Sequence, residues 1–124
     1  MLKYDKKGVI PMAQKNYRVT KQYRNIKQSL LNELEMNGNT QDFFVSLVDD
    51  YLEMWVISRQ LMDDIAENGV YIIYQNGKNQ SGRTKNSSIQ ELTKVNAQML
   101  KILQQLKIEA KTIDSLENDD DDEL

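Results

Sequence analysis

Cysteine and histidine are both absent from this chain of 124 residues. Without thiols there can be no disulfides and no thiolate metal sites. Without imidazole, the commonest general base and the commonest metal ligand are missing together. No apolar run approaches the roughly 20 residues needed to span a membrane. The N-terminus has no apolar signal core, only Lys3, Lys6 and Lys7 followed by a polar stretch. A cytoplasmic protein with no membrane partner is expected, and the Asn-x-Ser sequons at Asn79 and Asn86 then carry no meaning. The phosphate-cradling G-x-x-x-x-G-K-[ST] loop, the G-x-S-x-G elbow and the H-E-x-x-H helix are also absent. The acid pairs Asp49-Asp50 and Asp63-Asp64 are adjacent in sequence, so on a helix each pair diverges. Asp49 and Glu53 share a face, but with no third ligand they read as a solvated surface. No catalytic residue, metal ligand or cofactor is expected.

What the chain does have is charge, unevenly spread. The net charge is -3. Residues 1–28 hold eight bases (Lys3, Lys6, Lys7, Lys15, Arg18, Lys21, Arg24, Lys27) against Asp5 alone, whereas residues 117–124 hold six acids and no base. This pattern points to a polyanion partner at one end and a regulatory or protein-binding segment at the other, or to two solubilising tails. A chain this short buries only a modest core, so assembly with copies of itself would add stability.

Apolar spacing predicts a mainly α fold: a helical hairpin, a short β-hairpin and a third amphipathic helix. The first helix is expected over about 20–36, with Thr20 as its cap, Tyr23, Ile26, Leu30, Leu31 and Leu34 as its stripe, and Asn37-Gly38 as its stop. The second, over about 41–68 and capped by Thr40, carries Phe44, Leu47, Val48, Tyr51, Leu52, Trp55, Met62 and Ile65 and is closed by Asn68-Gly69. Val70 to Tyr74 is β-branched and aromatic, and Asn76-Gly77 is a turn signal, so a β-hairpin is expected over about 70–86. The third helix, over about 88–107, opens with Ser88 and Glu91 spaced as a capping box. Leu92, Met99 and Leu106 recur seven apart on it, with Val95 and Ile102 between, as a short seam suited to packing on another helix, in the same chain or in a neighbour. Ile108 to Leu116 reads as a short extra turn anchored by Ile113 and Leu116. The domain expected is residues 20–116, flanked by a flexible basic arm over 1–19, where Gly8 and Pro11 act as breakers, and a disordered acidic tail over 117–124.

Lys15, Arg18, Lys21, Arg24 and Lys27 recur about every three residues with Tyr17 and Tyr23 interleaved. Cations placed like this contact phosphates, giving affinity and salt dependence without sequence reading. The hairpin's Lys78, Arg83 and Lys85 form a second cationic group. The first two helices are compatible with a DNA-binding helix-turn-helix or with a plain helical hairpin. A small transcriptional regulator and a helical adaptor without DNA contact therefore remain open beside other DNA-binding roles.

The order of segments is more specific. A helix and a Gly stop precede a long aromatic-bearing helix ending in Asn68-Gly69, then a strand and polar turn, then Asn86-Ser87-Ser88-Ile89-Gln90-Glu91-Leu92-Thr93-Lys94-Val95-Asn96-Ala97-Gln98-Met99-Leu100-Lys101. Over roughly residues 20–116 this resembles the small subunit of a phage terminase. It departs at the third helix, where Ser88-Ile89 replaces the usual Pro, and at Lys111-Thr112-Ile113-Asp114-Ser115, where a Ser-rich, Arg-bearing end is usual. The resemblance implies a ring-forming, non-catalytic protein of the host cytoplasm. Such a protein binds double-stranded phage DNA at the packaging initiation site and loads the large terminase subunit. In such a ring either the Tyr51/Trp55/Met62 stripe or the Leu92/Met99/Leu106 seam should lie between subunits.

Overall fold

The computed structural model of the chain describes residues 3–4, 9–10 and 15–108. The expected tail over 117–124, the turn after Ile108 and most of the arm lie outside these residues. Two short strands, β1 (Lys3–Tyr4) and β2 (Val9–Ile10), pair antiparallel. A 3-10 turn at Tyr17–Val19 leads into α1 (Lys21–Met36), α2 (Asp42–Asn68), a hairpin of β3 (Tyr71–Gln75) and β4 (Ser81–Lys85), and α3 (Ser87–Gln105). The mainly α fold and all three helices match the sequence expectation.

Thr20 caps α1 as expected, its hydroxyl oxygen accepting from the Tyr23 amide at 3.2 Å. The helix ends in a Schellman motif. Gly38 takes φ of 74°, its N–H donates to Glu35 O, and the Asn39 N–H donates to Leu34 O. The connection is short, and α2 packs along α1. At α2 the expected Thr40 cap is not used: Gln41 holds the capping position, with no side-chain hydrogen bond.

Helix α2 is the hub. One face packs α1 and another packs α3. The core is one cluster made by Ile26, Leu30 and Leu34 of α1, Phe44, Val48, Leu52, Trp55 and Val56 of α2, and Met99, Ile102 and Leu103 of α3, continued by Leu106 and Ile108. Leu47, Tyr51, Met54 and Val95 pack partly against it. Much of the broad apolar face of α2 is thus covered by two neighbours within one chain, while Val45, Ile57 and Met62 stay exposed.

The structure corrects three further readings. Residues 15–19 do not belong to a free arm, because Tyr17 packs edge-on to Trp55 at 5.8 Å and its hydroxyl donates to Asp63 on α2. Helix α3 is not opened by the Ser88/Glu91 box: Asn86 is its N-cap and accepts from the Ser88 amide, while the Ser88 hydroxyl turns back to Asp64. The seam of α3 packs inside its own chain, with Met99 and Leu106 buried against α2 and Leu92 half-buried; Trp55 is likewise a core residue.

Helix α3 ends in a second Schellman motif, with Ile108 N–H on Leu103 O and Lys107 N–H on Gln104 O. Here the left-handed position is held by Lys107, at φ 62°. A side chain there costs about 1–2 kcal/mol relative to glycine's freedom. Lys107→Gly is therefore expected to stabilise the protein by up to about 1 kcal/mol. Urea titration checks this, and a destabilised variant would mean that the lysine side chain makes a contact worth more than the strain.

Candidate nucleic-acid interface

The expected cations fall into unlike settings. Arg18 is engaged: its Nε and Nη2 donate to the two carboxylate oxygens of Glu53 at 3.1 and 2.6 Å. That ion pair holds the Glu53 carboxyl below its ordinary value and the guanidinium above its own. A phosphate would have to compete with that carboxylate for the fork, in an ion pair that is half exposed. Lys15 lies over the Tyr17 ring, 5.3 Å from its centroid. Burial, and then donation to Asp63, raise the Tyr17 phenol above its ordinary value, so it stays protonated and keeps the segment pinned to α2.

The core face of α1 is Ile26, Leu30 and Leu34. Lys21, Arg24 and Gln28 fall on the opposite, exposed side, with Lys27 at its flank. Arg24 is braced there, Nη1 donating to Val19 O at 2.8 Å, and Gln28 donates to Asn32. No acid sits in the first turn of α1, so the positive end of the helix dipole adds to these cations. The basic face is confined to the first half of α1. Glu33 and Glu35 follow in the second half.

Lys78, Arg83 and Lys85 lie on the β-hairpin, beyond the far end of α2. They belong to a different element from the α1 cations. Arg83 stacks on Tyr71 at 4.5 Å.

The α2 surface decides against a recognition helix. Its core residues Phe44, Val48, Leu52 and Trp55 define the inner side. The outward stripe is Asp42, Val45, Asp49, Glu53 and Ile57, with Asp50 beside it. A helix presenting these carboxylates to a major groove would meet phosphates of like charge on both walls. The carboxylates on the outward face of α2 favour a plain helical hairpin with a basic flank on α1 over a groove reader.

The sequence matches the family described as phage terminase, small subunit, over residues 21–123. The chain belongs to the phage terminase small-subunit family. No curated protein and no solved structure matches it. The family places this small subunit in phage DNA packaging. No helix among the described residues is long and apolar enough to cross a membrane. Among those residues no group of three or more acids is placed to hold a metal ion.

Two features of this small subunit are not evident from motif reading. One is the outward acidic stripe of α2, which is recognisable only once the inner face is known. The other is a buried polar latch. Asn86 is 2% exposed. Its Nδ2 donates to Asp64 Oδ2 and to Gly69 O, both at 2.9 Å, and its Oδ1 accepts from the Ser88 amide. Its backbone N–H donates to Val70 O. Ser88 and Asn68 also donate to Asp64, at 2.7 and 2.8 Å. Asp64, expected to be merely solvated, joins the end of α2, the base of the hairpin and the start of α3. The Ser88 hydroxyl first, then Asn86 and Asn68, hold its carboxyl below its ordinary value.

Proposed function

We propose that this chain is the DNA-recognition and assembly subunit of a phage packaging motor. It binds double-stranded DNA at the packaging initiation site, forms a ring of copies and loads the large subunit that carries the ATPase and nuclease. It works in the host cytoplasm and has no catalysis of its own. The observation that carries this reading is the family match over residues 21–123, joined by the exposed basic first half of α1. Lys15, Lys21, Arg24 and Lys27 are the phosphate contacts in this reading. Arg18 is a structural cation, because its charge is spent on Glu53. The acids of 117–124, outside the described residues, are left for the large subunit. Of the expected interface residues, Met62 is exposed and Tyr51 and Leu92 are half-buried, whereas Trp55, Met99 and Leu106 are buried in the core.

The test is DNA binding as a function of salt with Lys21, Arg24 and Lys27 all changed to Glu. Affinity at low salt is expected to fall at least about tenfold, and the slope of log K against log salt to flatten by about 0.9 for each lost phosphate contact. Arg18→Ala should leave that slope unchanged. A triple variant with wild-type affinity and slope would remove this face from DNA binding. Absolute mass by light scattering reads the ring directly, and a dimer would favour a small regulator.

A further inference from the structure

The β-hairpin stands off the helical body with neither face covered. All five residues of β3 are exposed, including Tyr71, Ile72 and Tyr74, and Ile73 is 81% exposed. A two-stranded hairpin is marginal alone in water, and a bare strand with this composition invites pairing. Yet this one is held rigidly at its base. Asn86 binds Gly69 O through its side chain and Val70 O through its backbone. On the hairpin the Tyr74 ring lies over Gly82, where a Cβ would come within 3.1 Å of the Tyr74 hydroxyl oxygen. A rigid, uncovered apolar arm loses little entropy when it docks.

Its charge says what it docks on. From Gly69 to Gln90 there is no acid, while Lys78, Arg83 and Lys85 are all exposed. Helix α2 carries seven acids against Arg59 alone, and its outward stripe sets Asp42, Asp49 and Asp50 beside the exposed Val45 and Ile57. Apolar residues framed by cations on one surface therefore face apolar residues framed by carboxylates on another. Two hairpins set edge to edge would instead repel. DNA would satisfy the cations but leave Ile72, Ile73 and Tyr74 against phosphate and water.

The two surfaces lie at opposite ends of α2. At 1.5 Å per residue, Asp49 and Asp50 are about 28 Å from the base of the hairpin, and a five-residue strand spans only about 17 Å. The arm does not reach Asp42, Asp49 or Asp50 of its own chain. Distinct complementary patches on one chain make a head-to-tail contact, the kind that closes into rings.

We propose that the β3–β4 hairpin is an assembly arm that seats on the acidic outer face of α2 in a second copy of this chain. The proposal rests on the self-assembly reading above. Lys78, Arg83 and Lys85 would pair with Asp42, Asp49 and Asp50, and Ile73 would lie against Val45. This assigns the hairpin cations to protein rather than to DNA.

The experiment is light scattering coupled to size exclusion on full-length chains. One variant carries Lys78→Glu, Arg83→Glu and Lys85→Glu. A second carries Asp42→Lys, Asp49→Lys and Asp50→Lys, and a third carries all six changes. Circular dichroism verifies that each is folded. The first two variants are expected to fall to monomer mass, and the third, or an equal mixture of the first two, to regain the wild-type mass. Reversed hairpins that keep the wild-type mass would overturn the arm. Reversed hairpins that become monomeric with no rescue in the third variant would overturn α2 as its seat. If the wild-type chain is itself monomeric, with or without DNA, the ring reading falls together with this proposal. Weakened DNA binding at unchanged mass would return the hairpin to DNA.

Discussion

Trp55→Ala is expected to destabilise the protein by about 3–5 kcal/mol, the range for emptying a large aromatic site in a packed core. Trp55 is 3% exposed. Tyr17 meets it edge-on, Tyr23 packs tilted against it at 6.1 Å, and the Arg59 guanidinium lies 5.3 Å from its centroid. Each aromatic pair adds about 0.5–1.5 kcal/mol beyond area burial. The truncation therefore removes more than one side chain. It also takes away the platform that holds residues 15–20 on α2, so Tyr17 and the Lys15 above it should become mobile while α1 and α3 keep their contacts. For a domain of this size the loss corresponds to a fall in Tm of more than about 10 °C. Thermal unfolding with amide exchange over residues 15–20 measures both effects. Because Trp55 is buried within its own chain, the folded variant well below its Tm should keep the wild-type mass. A lower mass with an unchanged Tm would put Trp55 between subunits instead.

Breaking the latch is the other large effect. Asn86→Ala removes two donors and one acceptor from a buried site, leaving Gly69 O and the Ser88 amide without their side-chain partner and Asp64 short of one donor. The expected cost is about 2–3 kcal/mol, since each buried group left unpaired retains its desolvation penalty. Asn86→Asp should be worse at neutral pH. It sets a second carboxylate within hydrogen-bond distance of Asp64, and two like charges that close cannot both ionise cheaply. The gap between the two variants should narrow as pH falls and one carboxyl takes up a proton. In the wild-type chain the Asp64 carboxyl is held below its ordinary value of 3.8. Its contribution to stability is complete above that value and is lost as pH falls through the lowered folded value. Urea titrations at pH 7 and near pH 3 test the sign. If Asn86→Ala has the same stability as wild type at both, the latch does not hold the hairpin and α3 together.

The basic face of α1 and the acidic face of α2 also bear on how the molecule would meet DNA. Arg18, just ahead of α1, is tied to Glu53 on α2. Exposed cations on α1 and exposed carboxylates on α2 thus sit on neighbouring helices. Such a division suits a subunit that contacts a polyanion with one surface and a copy of itself with another.

Much of this was legible in the chain. Three helices could be placed because apolar residues recur with the helical period, and their ends because Thr20, Gly38 and Gly69 have short-range effects on the backbone. These are properties of neighbours in sequence. The β-hairpin was legible for the same reason, with the Asn76-Gly77 signal falling inside the loop of residues 76–80. The order of those segments also carries the family. What the chain did not reveal were contacts that depend on a distant residue. Ser88 fits a capping box, but the Asp64 carboxylate, 24 residues away, takes its hydroxyl, and Asn86 takes over the cap. Lys107 stands where a glycine would be looked for, held left-handed by the Schellman bonds and by burial of Ile108 beside it.

The helices, the hairpin, the lack of thiol and imidazole chemistry and the uneven charge all follow from residue order and composition. Only the tertiary structure decided which of the many apolar and charged residues are spent inside the chain and which are left for partners. Periodicity marks Trp55, Met99 and Leu106 as apolar-facing but says nothing of whether the facing helix belongs to the same chain. A row of cations does not reveal that Arg18 already has a carboxylate. Both depend on which surfaces α2 shares with α1 and α3, and that follows from packing between residues far apart in sequence.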